Sequence, residues 1–574
     1  MHVDALSSLV ELDALKQNWN EVFAADPDGH YFLSWHWLRR WLEKAGPWRV
    51  LAARSGDASE GYVAFLPIQL RTEFDETRGL FNTIGLAGAH FSAYCGMLAL
   101  PAHADEAVDA FSTHLKGFAW RHLALDDIVM PRERLQRLFS AFPAETFRHA
   151  KIKRAEHITD AGEDIDHDTY VYVPLPGDYE ALLNERLGSR TRYHARRAMR
   201  ELQMPERELF ISLPTTETLA RDIDILCSLW WGQWGPQRPA YGRFIIENTR
   251  HMLPACFADG SLHMPILWHR GKAIAAFVLF LDPSHRTVVA FLSGRDMTAD
   301  RSVSPGLILH CHSLRWAIEN GYEIYDLGTG DYSYKDAFGA EHRQVERFRI
   351  STHSGQNLGG RLDPRTLDAA FSKAAVFDRA GRMDAAALCC RQILATDPAY
   401  QPALELGQRL EQSLRQRVDG LVAAALSHLR SGALAAAEAD LRDALDFDPH
   451  CLPALLSLAA LLMQKNAPDD AAALLGRALA VAPSSAAVHL QHGNVLIMQS
   501  RLDEALQSYD KAIALDGTNA VAFSNRGTLL RKLRRLDEAE ESYRQALALD
   551  PANEQAARNL GRLQSEAGGA LDGA

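Results

Sequence analysis

Apolar residues recur at one-face helical spacing over Leu12–Ala25 and Ser34–Ala45. In SWHWLRRWLEKAG, Ser34 stands as the N-cap and Gly46 as the terminator. The pattern then shortens to strand runs at Trp48–Arg54 and Gly61–Arg71 around a turn at Ser55–Glu60, which predicts a hairpin. A strand region at Ala93–Leu100, a helix at Asp105–Phe118 and a strand at His122–Leu125 follow. The same order then returns. Helices over Glu180–Met204, Thr216–Trp231 and Gly242–Phe257 lead to strand Leu262–Trp268, turn His269–Lys272 and strand Ala273–Leu281. Strand Thr287–Leu292, helix Gly306–Asn320 and strand Tyr322–Leu327 complete it, which predicts two similar α/β lobes.

The last third has a different period. Pro449, Pro483, Gly517 and Pro551 are each 34 positions apart. Small residues keep step at Ala437, Ala471, Ala505 and Ala539, and again at Ala444, Ala478, Ala512 and Ala546. Leu441, Leu475, Tyr509 and Tyr543 share a third register, and Gly493, Gly527 and Gly561 a fourth. This resembles the tetratricopeptide repeat, a helix–turn–helix unit whose small residues let two helices pack closely. A degenerate unit ends at Pro398; the 51 positions from there to Pro449 leave room for an extra helix at Gln401–Arg417. The expected fold is therefore two tandem α/β lobes followed by an all-α solenoid. Their bounds are 1–165 and 166–352 for the lobes, 353–366 for a linker, 367–417 for the degenerate repeat with its extra helix, and 418–574 for the repeats with a capping helix.

Length and composition narrow the class. A chain of 574 residues exceeds one core and implies roughly three or four domains. With 47% apolar and 23% charged residues it has the composition of a globular protein. The opening MHVDALSSLVELDALKQ carries acids where a signal peptide needs bases, and no apolar run approaches a membrane span. Seven cysteines stand without paired spacing or histidine partners, so neither structural zinc nor a disulfide framework is expected and a cytoplasmic setting is. A net charge of −12 disfavours nonspecific nucleic-acid binding by the whole molecule but leaves room for a basic patch.

Candidate chemistry gathers in YEIYDLGTGDYSYKDAFG, residues 322–339. A strand breaks at Gly328 and Gly330 into a loop carrying Asp331, Tyr334 and Lys335. Asp331 could orient or deprotonate a nucleophile, Tyr334 could donate a proton, and Lys335 could neutralise a developing negative charge. The bland alternative is a structural Asp–Lys pair under aromatic packing. Asp326, inside the strand, reads as an anchor for the loop. A basic helix places Arg192, Arg196 and Arg200 on one face, inviting an anionic substrate or a solvated, paired surface. Trp230, Trp231 and Trp234 end a helix at Gly235–Pro236, where Trp234 could wall a substrate site or simply close the core.

Four segments carry a more specific resemblance: FLSWHWLRRW, GSRTRYHARRAMREL, SVSPGLILHCHSLRWAIENGYEIYDLGTGDYSYKDAFG and VERFRI. On these the first 350 residues resemble the CelD/BioF-type branch of the GNAT acyltransferase superfamily, related to the FemABX aminoacyltransferases. The resemblance implies an acyl-CoA cosubstrate, acetyl-CoA or a longer one, whose pyrophosphate rests on amides at a helix N-terminus. The family pattern Arg/Gln-x-x-Gly-x-Gly/Ala falls on Arg301, Ser304 and Gly306, with a serine in place of the middle glycine. Ser304 and Pro305 would also suit a plain N-cap and first turn. The implied activity is N-acylation of an amine on a sugar or a cell-envelope or exopolysaccharide precursor, with the repeats docking a protein partner. Two alternatives stay open: an aminoacyl-tRNA-dependent transferase, and a non-catalytic scaffold in which the repeats do the work.

Overall fold

The structure, a computed structural model, describes residues 1–569 apart from 57–60, 90, 155–156, 160–161 and 301. Most of the expected turn over Ser55–Glu60 lies outside the described residues. The chain divides into two compact units, Met1–Leu404 and Glu405–Ala574.

The first unit uses one strand order twice. In the first sheet the order is His2–Leu6, Trp48–Arg54, Ala64–Asp75, Gly79–Leu86, His122–Ile128, Glu346–Thr352 and Phe147–Lys151. In the second it is Leu209–Ser212, Ile266–His269, Lys272–Asp282, Thr287–Arg295, Ile324–Thr329, Thr169–Pro174 and Glu341–Gln344. In both sheets the fourth and fifth strands run parallel. The other neighbours along each order are antiparallel. The sixth strand is the inserted one each time. Glu346–Thr352, which contains most of the VERFRI segment, leaves the second lobe and runs in the first sheet between His122–Ile128 and Phe147–Lys151.

Burial explains the central strand. Ala275, Phe277 and Leu279 of Lys272–Asp282 face a core shared with helices Ser189–Glu201 and Pro305–Glu319. Ala276, Val278 and Phe280 face a second core with helices Leu219–Trp234 and Pro239–Ala258 and the aromatic residues of the first lobe. A strand covered on both faces has no polar alternation to show. The lobes meet in that second core. Tyr31 stacks on Phe280 at 4.6 Å, and His285 bridges the carboxylate of Asp282 to the backbone carbonyl of Asp26.

Two expected helices break at identifiable residues. Glu180–Met204 is interrupted before Ser189–Glu201 by Gly188, which takes an extended conformation at the N-cap position. Leu12–Ala25 becomes Leu9–Ala14 and Lys16–Ala25. Residues 353–366, expected as a linker, pack on the first sheet. There buried Asn82 donates to Thr366 at 2.9 Å, accepts from the amide of Asp363 at 2.8 Å, and its own amide donates to Asn357 at 2.9 Å. Helices Leu367–Arg379 and Met383–Thr396 pack on strands Ala64–Asp75 and Gly79–Leu86.

Among the described residues the second unit is built of helices, with antiparallel pairs such as Ala486–Met498 with Leu502–Leu515 and Ala520–Lys532 with Leu536–Leu549. The repeated small residues are its contact points: Ala437, Ala471, Ala505 and Ala539 are fully buried. A Cβ on Gly493 would lie 2.5 Å from the Tyr509 ring, and one on Gly527 2.8 Å from the Tyr543 ring. Glycine is what lets each tyrosine lie flat against the paired helix. Expected helix Gln401–Arg417 is the start of the longer helix Gln401–Arg430. No helix among the described residues is long and apolar enough to cross a membrane.

Candidate functional site

In the second sheet, Thr287–Arg295 and Ile324–Thr329 pair in parallel only at Thr287↔Ile324, Val288↔Tyr325 and Val289↔Asp326. Beyond that point they part. Thr287–Arg295 stays with Lys272–Asp282, but Val278 faces Leu292 while Leu279 faces Ala290, so Phe291 is the extra residue of a bulge. Ile324–Thr329 stays with Thr169–Pro174, ending at Tyr170↔Thr329. Phe291 and Leu292 on one side of the gap and Thr329 on the other line a cleft of about 840 Å³.

The loop after Ile324–Thr329 is fixed from below. Gly328 and Gly330 hold φ of +73° and +89°, which only glycine adopts without strain. Asp326 is 1% exposed and accepts from the Gly328 amide at 2.6 Å and from the Tyr94 hydroxyl at 3.0 Å. Burial raises its carboxyl to about 7, against the opposing pull of those two bonds and the Lys335 charge. Lys335 is 3% exposed; its ammonium donates to the carbonyls of Gly328 and Thr329 at 3.2 and 2.8 Å. Burial lowers it to about 8, and the nearby aspartates hold it up. Asp331 accepts from the Asp166 amide at 2.7 Å. Tyr334 is half-exposed, with its ring 5.9 Å from that of His310 on helix Pro305–Glu319. The trio thus has three different surroundings: Lys335 braces the loop, Asp331 fastens the segment before Thr169, and Tyr334 faces the helix.

That helix begins beside open space. A Cβ on Gly306 would meet nothing within 4 Å. Ser304 is exposed and its side chain makes no capping bond, so the plain N-cap alternative has no hydrogen bond behind it. Arg301 lies outside the described residues.

The remaining sequence candidates stand elsewhere. Arg192 donates to the carbonyls of Leu187 and Asn184 at 3.0 and 3.3 Å, and Arg196 to Glu180 at 2.6 Å and Asn184 at 3.2 Å. Both tie the basic helix to the turn before Gly188. Trp234 packs, partly buried, on the core between the lobes. None of the three lines the cleft.

What does line it comes from both lobes. Its aromatic residues are Trp41, Phe91, Tyr241, Phe244 and Phe291. Its charged cluster is Arg71, Asp127, Arg154 and Arg347. Arg347 donates to buried Asp126 at 3.1 Å, and Arg71 stands 3.9 Å from the same carboxylate. Arg154 pairs with Asp127 and donates to the Thr329 hydroxyl at 3.3 Å, which ties this cluster to the gap. Asp127 holds φ of +52°, a left-handed conformation that costs a non-glycine residue about 1 kcal/mol. The sequence signal was there in part: HLALDDI sets two acids near the end of an apolar strand, as IYDLGTG sets one within its strand.

The site thus combines an antiparallel arm, a parallel pair that splays after three residues, a bulge at the gap and a helix starting beside it. Residues 189–336 match the model of the acetyltransferase (GNAT) domain family, and residues 428–491, 493–533 and 520–553 match tetratricopeptide-repeat models. The chain carries a GNAT-type acetyltransferase domain followed by tetratricopeptide repeats. Among solved structures, the crystal structure of FemX is 12% identical and covers 61% of this chain and 97% of its own, with a TM-score of 0.42. A crystal structure of MamA is 23% identical and covers 25% of this chain and 83% of its own, with a TM-score of 0.23. Pseudomonas aeruginosa pilF is 25% identical and covers 27% of this chain and 70% of its own, with a TM-score of 0.26. Comparison with curated proteins returns no significant match.

Proposed function

We propose that the protein is an acyl-CoA-dependent N-acyltransferase whose donor enters at the gap beyond Val289 and Asp326 and whose acceptor amine enters from the cleft. The observation that carries this reading is the shared boundary: Phe291, Leu292 and Thr329 belong to the gap and to the cleft at once. The amine nitrogen forms a bond to the thioester carbonyl carbon as the carbon–sulfur bond breaks. One proton leaves the amine for a base or water, and the departing thiolate takes up one to become the thiol. Tyr334, beside helix Pro305–Glu319, is the candidate donor of that second proton. Strand amides freed by the bulge at Phe291 are candidates to hold the carbonyl oxygen. Lys335 acts by bracing the Gly328–Thr329 loop, and Asp331 by fastening the segment that covers it. The donor's pyrophosphate rests at Ser304–Gly306, with Arg301 beside it in sequence.

A cleft with aromatic and polar walls suits an amine on a sugar or envelope precursor, the acceptor class the resemblance implies. The repeat unit docks a protein partner in this reading. The test is calorimetric CoA binding together with transfer from labelled acetyl-CoA to amines in a cell extract. Wild type should bind CoA, and Gly306→Glu, which puts a charged side chain into the open space, should lower affinity about tenfold or more. No CoA binding and no transfer by wild type would end the reading.

A further inference from the structure

The charged side chains lining the cleft are Lys44, Arg71, Arg154 and Arg347 against a single carboxylate, Asp127. A pocket meant for a neutral sugar or an acyl chain gains nothing from such an imbalance. Asp126, 6% exposed and absent from the lining, and Asp168, 4.0 Å from Arg154 Nε, offset part of it from behind. Arg347 retains unmet capacity: among the described residues its buried Nε has no hydrogen-bond acceptor, and a carboxylate oxygen of Asp127 lies 3.7 Å away. Guanidinium groups in this density favour planar, multiply hydrogen-bonded anions. Asp127 is the matching feature for a cation. Its left-handed backbone is held by its carbonyl, which accepts from the Cys95 amide at 2.9 Å, and its side chain is only 15% exposed. Arg154 spans from Asp127 to Thr329, so both charges stand next to the gap where the acyl group would arrive.

We propose that the acceptor is a zwitterion, an amine that also carries a carboxylate or phosphomonoester, with the anion held by Arg347 and Arg71 and the amine received by Asp127. The proposal rests on the transferase reading for the word acceptor, but its binding prediction stands without it. Both groups of the ligand must lie within a few bonds of each other, because Arg347 Nε and the Asp127 carboxylate stand 3.7 Å apart.

The experiment is calorimetric titration of the full-length protein with matched small molecules. Glucosamine 6-phosphate is compared with glucosamine, O-phosphoethanolamine with ethanolamine, glycine with methylamine, and glucose 6-phosphate serves as an anion without an amine. The anion-bearing amines should bind at millimolar or lower concentration and at least about tenfold more tightly than the partners that lack the anionic group. The preferred member tells phosphate from carboxylate. Arg347→Gln should shrink that preference about tenfold with CoA binding unchanged, and Asp127→Asn should weaken glucosamine 6-phosphate more than glucose 6-phosphate. Should Arg347→Gln fail to fold, Arg71→Gln, at the other arginine beside Asp126, carries the same comparison. Equal binding with and without the anionic group, an unchanged preference in the variants, or no binding by any member would overturn the proposal. Loss of CoA binding in wild type would instead strike the donor site and leave these titrations interpretable.

Discussion

The hydroxyl of Tyr94 donates to the carboxylate of Asp326 at 3.0 Å, and this bond joins the two lobes beneath the loop where the second sheet's parallel strands part. Tyr94 belongs to the stretch that packs against the first sheet, Asp326 to the last paired position before the gap. The position of Thr329 therefore depends on both lobes.

The Asp326 carboxyl, raised by burial to about 7, makes stability depend on pH with a definite sign. A carboxyl whose folded value lies above its unfolded value contributes stability that is present below about pH 4 and is lost as pH rises through about 7. Asp326→Asn should remove that slope, so the wild type should lose up to a few kcal/mol relative to the variant between about pH 4 and pH 7. Denaturant unfolding of both proteins across this range checks it. Parallel curves would mean that the carboxyl titrates alike folded and unfolded.

Lys335 and Tyr334 should separate in kinetics. Lys335→Met leaves two part-buried carbonyls without their donor and should destabilise the first unit by about 1–3 kcal/mol. It should also raise KM for acyl-CoA as the loop relaxes. Tyr334→Phe, at a half-exposed site, should leave stability within about 0.5 kcal/mol and lower kcat with KM little changed. Equal and purely catalytic effects from both variants would return Lys335 to a direct chemical role.

Only one of the two lobes should hold a donor. The first sheet parts in the same way after Gly85↔Ala124, but there the chain fills its own gap. Cys95, 1% exposed, bridges to Ile128, donating to the carbonyl of Asp127 and accepting from the amide of Val129, both at 2.9 Å. Calorimetry should give one CoA per chain, and a stoichiometry of two would show the plug to be displaceable.

The doubled order of elements was legible because buried strands such as Thr287–Arg295 and helices such as Pro305–Glu319 have unlike periods. What escaped was set by partners distant in sequence. Phe147–Lys151 is exposed at four of its five positions, so no burial pattern marks it as a strand. Thr169–Pro174 does alternate, yet it precedes its neighbour Ile324–Thr329 by about 150 residues and pairs with it only in the finished sheet. Asp331, Tyr334 and Lys335 were found together because they are adjacent in sequence, while their surroundings differ. Arg71, Arg154 and Arg347 were missed for the opposite reason, since three separate segments bring them to one cleft. Arg192 and Arg196 stood out as a charge run, and Asn184, Leu187 and Glu180 take up their hydrogen bonds.

Within the repeat unit, two glycines in one register should respond oppositely to alanine. Gly493→Ala places a methyl 2.5 Å from the Tyr509 ring, which is buried between the paired helices and hydrogen-bonded to Asn494 at 2.6 Å. The ring cannot withdraw without giving up that bond, so overpacking should cost about 1–3 kcal/mol. Gly561→Ala meets nothing within 4 Å on helix Glu554–Gly569, so the gain in helix propensity should stabilise by up to about 1 kcal/mol. Calorimetric melting of the full-length protein reads both. If Gly493→Ala proved neutral, the close approach of Ala486–Met498 and Leu502–Leu515 would not be what the repeated glycine is for.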